Sequence, residues 1–414
     1  MPIRESVRQK KMECMCRIRH LTALIVAIVF AGCYNAQHDN TLVPEEQSLD
    51  TLSNENYMAM TPITVVPFLD VSKGMSGYYA GKSATGFKTD VWSVLSSLNG
   101  EWGTDSVVLL SEKKPKHVSL TDFRDMMNAG KLLYDNNTSI PQMIENIVAR
   151  IDTTKGMVAV LISDMKYSPT GNSSPQALMA QYATDISNIL ARKEIATSLI
   201  CAVSDYRTAS QTCDESPYYY LVVGNPKSLS NVRNEIVSKL KSSGSFVEVV
   251  ESGVEYDRNL MALHMKAKGI MPLDKDNLIY GGYDSKVTDT IAITLGLNLS
   301  PFPCFLWDSD SLMRYITVNT SSLARCHVSD IEVSESVALI TVNIYNFKEK
   351  DQKFAITLGG YDPSMPRKTN QFYGAIKEND CDKTISIDQF IRGIADKRKI
   401  QSSVEITIIK DNKL

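Results

Sequence analysis

Residues 63–79, ITVVPFLDVSKGMSGYY, join an apolar run to a loop that carries one carboxylate and several hydroxyls. Ile63, Val65, Val66, Phe68 and Leu69 are nearly continuous and rich in β-branched types, the pattern of a central strand covered on both faces. Asp70 stands at the carboxyl end of that strand. Open α/β sheets bind ligands at this edge because the loops diverge there. Ser72, Gly74, Ser76 and Gly77 follow, each either oxygen-bearing or conformationally free, so the backbone can wrap closely around something small and positive.

The segment 70–77, DVSKGMSG, resembles the opening motif of von Willebrand factor A-type domains, Asp-x-Ser-x-Ser, often followed by Met and Gly. In that family the motif supplies the first ligands of a metal-ion-dependent adhesion site, and a downstream Thr and Asp supply the others. The resemblance assigns those roles to Thr138, in YDNNTSIP just ahead of a helical pattern, and to Asp164, which ends the apolar run MVAVLISD. It covers residues 62–243 in the order strand-Asp, loop-Thr, strand-Asp. One position departs from the motif: Gly74 stands where the family has Ser, which removes a hydroxyl ligand that Ser76 or a water would replace. The expected ligands are therefore Asp70, Ser72, Ser76, Thr138 and Asp164.

A hard cation such as Mg²⁺ takes oxygen ligands in near-octahedral geometry and keeps several waters; Mn²⁺ and Ca²⁺ remain alternatives. A carboxylate and a hydroxyl two residues apart on one loop reach the same point, and a Thr and an Asp from neighbouring loops close the remaining directions. With few charged ligands the cation stays electrophilic and accepts a carboxylate from a protein partner, the mode the resemblance implies. The competing reading keeps the same domain as a metal-free structural or assembly scaffold, with Asp70 and Asp164 capping loop N–H groups.

Other chemistry is thin. A formal net charge of −3, with no basic stretch interleaved with aromatics, gives no sign of a nucleic-acid partner. His20, His38, His117, His264 and His327 are scattered, none at metal-ligand spacing to another His or Cys, which argues against a zinc enzyme. No Gly-x-Ser-x-Gly elbow or phosphate-binding glycine loop occurs. A metal-dependent phosphohydrolase would need a second carboxylate beside Asp70, where the loop offers Ser72 and Lys73. Neither an enzyme nor a small-molecule substrate is expected.

The elements that must position these residues follow from the hydrophobic pattern. With 414 residues, 43% hydrophobic and 22% charged, the chain has room for about two or three domains. Residues 61–245 alternate strand and helix patterns and predict a doubly wound, mostly parallel α/β sheet between helical layers. Strands are expected at 106–110, 157–163, 195–203 and 218–223, and helices at 88–98, 119–128, 140–151, 176–191 and 229–240. The tyrosines 218–220 read as strand packing residues with hydroxyls toward solvent. Residues 246–414 carry short strand patterns at 290–299, 329–333, 338–345, 353–358, 384–387 and 404–409, which predict a β-rich domain of sandwich type.

Ahead of the first domain, residues 1–20 are basic and 21–31 form an apolar core of secretory-signal length. The core ends in FAGC, which resembles the bacterial lipobox with Phe30 in place of the usual Leu. Residues 1–32 are then a lipoprotein signal peptide, with translation starting at Met12 or Met15, and Cys33 the site of lipidation. An ordinary signal peptide with a chance Cys is the alternative. Residues 33–60 are polar and read as a disordered tether. The expected location is the bacterial cell envelope, outside the cytoplasm and held to the membrane by lipid. There Cys201 with Cys213, and Cys304 with Cys326, are candidate disulfides, leaving Cys381 odd.

Overall fold

The apolar runs of the first domain fold into a seven-stranded sheet with helices on both faces. A computed structural model describes residues 62–409, apart from 80, 83, 111–114, 133–138, 168–174, 192–194, 255–261, 268–270, 275–278, 282–289, 301, 321–323, 346–350, 375–379 and 396–399. The signal peptide, Cys33, the tether and Thr138 lie outside the described residues. The strands are β1 (Thr64–Asp70), β2 (Ser106–Leu110), β3 (Lys116–Ser119), β4 (Met157–Ser163), β5 (Ala196–Arg207), β6 (Thr212–Gly224) and β7 (Phe246–Ser252), in the order β3-β2-β1-β4-β6-β5-β7. β1 pairs in parallel with β2 and with β4. The other pairings, β2 with β3, β4 with β6, β6 with β5 and β5 with β7, are antiparallel. Four strands, β1, β2, β4 and β5, thus run one way, and the parallel pairs of the expected mostly parallel sheet are β2-β1 and β1-β4. The hairpin β5–β6 sets β6 between β4 and β5 and reverses the local direction.

The helices are α1 (Ser76–Tyr79), α2 (Gly86–Trp102), α3 (Leu120–Asn128), α4 (Ile140–Val148), α5 (Pro175–Ala191) and α6 (Leu229–Ser243). Successive strand residues point to opposite faces. Val158, Val160 and Ile162 of β4 therefore join one apolar cluster with Val91, Val94 and Leu98 of α2 and Val232, Ile236 and Leu240 of α6. Ala159 and Leu161 join another with Ile140, Ile144 and Ile147 of α4 and Tyr182, Ile186 and Ile189 of α5. A strand buried on both faces between helices is what the unbroken run MVAVLIS encodes. The three tyrosines of β6 pack as expected, but their hydroxyls do not reach water. Tyr218 donates to Asp90 Oδ2 at 2.7 Å and Tyr219 to Thr384 Oγ1 at 3.2 Å, while all three rings are fully buried.

β7 carries this sheet past residue 245, where composition divided the chain. The remaining strands are β8 (Ala262–Ala267), β9 (Met271–Asp274), β10 (Ile279–Gly281), β11 (Thr290–Asn298), β12 (Ile316–Thr320), β13 (Arg325–Ser334), β14 (Val337–Tyr345), β15 (Asp351–Tyr361), β16 (Tyr373–Gly374), β17 (Thr384–Ile385) and β18 (Ile400–Ile409). They form sheets of order β12-β15-β18-β10-β9 and β13-β14-β11-β8, with β16-β17 as a small pair. Two helices accompany them, α7 (Ser309–Tyr315) and α8 (Ile387–Ile394). The buried faces of the two larger sheets share one apolar cluster, with Ile293, Ile340 and Val342 from one and Phe354, Ile356 and Ile406 from the other.

Arg233 and α8 are among the contacts that bind this region to the first domain. Arg233 of α6, fully buried, pairs with the equally buried Glu251 of β7 at 3.1 Å and donates to the Phe302 carbonyl at 2.6 Å. α8 lies against α5 with Gly393 at the crossing, where a Cβ would fall 2.7 Å from the Ala183 carbonyl oxygen.

Candidate metal centre

β1 ends at Asp70, and its parallel partner β4 ends at Ser163, one residue before Asp164. The register places Leu69 opposite Ile162, so both chains leave the sheet at the same rim and their carboxylates arrive together. Both are buried, Asp70 at 0% and Asp164 at 1% exposure. Asp70 Oδ1 accepts the Ser72 N–H at 2.8 Å, and Oδ2 accepts the Ser163 hydroxyl at 2.7 Å. Ser163 Oγ in turn accepts the Met165 N–H at 2.9 Å. Asp164 Oδ1 accepts the Lys166 N–H at 3.1 Å, and the Asp164 N–H points at the Met75 sulfur at 3.0 Å. Each carboxylate thus ties down its own loop with one oxygen, as the metal-free reading expects.

That reading leaves two atoms without a role. Asp164 Oδ2 and Ser72 Oγ are buried and have no hydrogen-bond partner among the described residues. Ser72 Oγ lies close enough to favour the ionised Asp70, but not in hydrogen-bonding geometry. A buried polar atom left unpaired costs about 1–3 kcal/mol, more for a charged one. Burial, and after it the Asp164 charge, push the Asp70 carboxyl up to about 7. Burial also raises Asp164, against the opposing Lys166 charge. Two buried carboxylates that repel one another, with an idle hydroxyl beside them, fit a small hard cation that would neutralise both.

The expected ligands do not all gather here. Asp70, Ser72 and Asp164 converge. Ser76 Oγ donates to the Lys73 carbonyl at 2.8 Å, closing its own turn, and is partly exposed. Among the described residues no three His, Cys, Asp or Glu side chains gather in a metal-holding group, so any site here depends on hydroxyl oxygens. Sequence reading missed Ser163, whose hydroxyl orients Asp70. Its only signal was its place at the end of a strand parallel to β1.

The far end of the chain reaches the same rim. Thr384 Oγ1 donates to the Asp164 carbonyl at 3.4 Å, and Lys166 Nζ to the Asp380 carbonyl at 3.4 Å. Ser216 donates to the Cys381 carbonyl. A disulfide joins Cys213 to Cys381, with Cα atoms 6.0 Å apart. This corrects the pairings drawn from sequence proximity: Cys201, Cys304 and Cys326 are free thiols. Cys201 is turned into the buried helix-facing cluster, and Cys304 packs beside Arg233, with its sulfur 3.5 Å from Nη1. Cys213 lies on the outer part of the β5–β6 hairpin, opposite Tyr206, where the C-terminal segment passes.

Among the described residues no helix is long and apolar enough to cross a membrane. Compared with models of protein families, with curated proteins and with solved structures, the chain matches none.

Proposed function

We propose that this chain is a lipid-anchored envelope protein whose first domain, of von Willebrand factor A type, holds a divalent cation and engages a carboxylate of a protein partner. The β-rich remainder is read as a sandwich that supports it. The observation that carries the proposal is the pair of idle buried oxygens, Asp164 Oδ2 and Ser72 Oγ, beside the mutually repelling Asp70 and Asp164.

Asp70, Ser72 and Asp164 would hold the ion, Mg²⁺ in the first instance. Thr138, outside the described residues, is the further ligand that the motif resemblance assigns. Ser163 would keep Asp70 turned toward the ion through its 2.7 Å hydrogen bond. A bound divalent cation supplies an electrophilic position that accepts a carboxylate. The Cys213–Cys381 disulfide supports the extracytoplasmic location, since such bonds persist in oxidising compartments. Cys33 is proposed as the lipid attachment.

Calorimetric titration of Mg²⁺ into the wild type and Asp70→Ala tests the site: binding in the first and none in the second is expected. Capture of an envelope partner should fall when EDTA is added. Capture indifferent to chelator would favour the second reading, a metal-free assembly scaffold, for which the loop-capping hydrogen bonds of both carboxylates speak.

A further inference from the structure

We propose that Asp164 Oδ2 fills the ligand position left by the hydroxyl missing at residue 74, and that Gly74 is the residue that admits it. This rests on the cation reading above and specifies its ligand set.

A Cβ placed on Gly74 would fall 2.5 Å from Asp164 Oδ2 and 3.4 Å from its Cγ, so any side chain at 74 must displace the carboxylate. The backbone makes no such demand. Gly74 lies in the short 3-10 turn Lys73–Met75, and it is not among the glycines of positive φ. Space, not conformational freedom, therefore accounts for glycine here.

The Asp164 carboxylate cannot easily turn away. The Lys166 N–H holds Oδ1, and the Met75 sulfur holds the backbone N–H, which leaves Oδ2 leaning over Gly74, buried and without a hydrogen bond among the described residues. Ser76, the rival substitute, is partly exposed and turned to the Lys73 carbonyl of its own turn. The site thus exchanges a neutral hydroxyl for a second direct carboxylate. Two anionic oxygens suit a divalent ion and disfavour a monovalent one.

The test is calorimetry of Mg²⁺ binding to the full chain at pH 8, with circular dichroism on each variant. Gly74→Ser restores the hydroxyl of the resembled motif but fills the space that Asp164 uses. It should lose at least about tenfold in affinity, as should Gly74→Ala, and Asp164→Asn should lose about a hundredfold or more. A serine variant that binds as tightly as the wild type, or more tightly, overturns the inference while leaving the cation site in place. A wild type that takes up no Mg²⁺ overturns both. Should the residue 74 variants fail to fold, Asp164→Asn decides: wild-type affinity there removes Asp164 as a ligand, and the hundredfold loss retains it.

Discussion

Asp70 is a carboxylate held away from water beside another carboxylate, and that sets the sign of its contribution to stability. Its folded-state pKa of about 7 lies above the ordinary value of 3.8. Without a cation, the folded chain binds a proton at Asp70 more tightly than the unfolded chain does. Stability is full below about pH 4 and is lost as pH rises through about 7, by roughly 4 kcal/mol at most. Urea melts in EDTA from pH 4 to pH 8 should show that decline in the wild type, and Asp70→Asn should lessen it, leaving the smaller part due to Asp164; a wild-type profile already flat would mean that Asp70 ionises without penalty. At this scale the sequence was a partial guide. Asp70 and Asp164 were legible because each ends an unbroken apolar strand. Ser163 was not, because its meeting with Asp70 depends on the β1–β4 register. Gly74 read as a missing hydroxyl, since only the lean of the Asp164 side chain reveals what occupies its space.

Elements with a clean period were readable, and those stabilised by buried charge were not. β2, β4 and the core of α2 follow directly from their apolar spacing. β7, FVEVVES, carries two glutamates that interrupt its apolar pattern. Both are buried and satisfied: Glu248 accepts the N–H groups of Arg367, Lys368 and Thr369, and Glu251 pairs with Arg233. Such partners come from far along the chain, and no local pattern announces them. β5 likewise runs beyond its apolar portion through Ser204–Arg207, where the hairpin meets the N-terminus of α2: Ser204 Oγ accepts the Phe87 N–H at 2.6 Å and Asp205 Oδ1 the Gly86 N–H at 2.8 Å. The seat of α8 on α5 has no local signal in the sequence. Gly393→Val would push its branched side chain into the Ala183 carbonyl and the Ile186 Cβ, 2.7 and 2.9 Å from a Cβ at that position. A loss of about 1–3 kcal/mol in chemical denaturation is expected; a neutral result would show that α8 shifts freely on α5.

Across the whole molecule, the Cys213–Cys381 bond ties the β5–β6 hairpin to a segment 168 residues away that touches the Asp164 carbonyl and the Lys166 ammonium. Cross-linking so distant a pair restricts the unfolded chain, so Cys381→Ser or reduction should lower stability by about 2–4 kcal/mol, read as a shift in the denaturation midpoint. Sequence spacing could not show this pairing, because the two cysteines meet only after the C-terminal region has packed on the first sheet. The same rim carries the proposed activity, and a binding cation must compete there with the proton on Asp70. Thermal melting of the full chain in Mg²⁺ and in EDTA, at pH 5 and at pH 8, puts that competition to the most direct test. At Mg²⁺ a hundredfold above its dissociation constant, stabilisation of about 3 kcal/mol is expected at pH 8, shrinking at pH 5 where Asp70 is protonated. Identical melting in Mg²⁺ and EDTA at pH 8 would contradict a cation at Asp70 and Asp164.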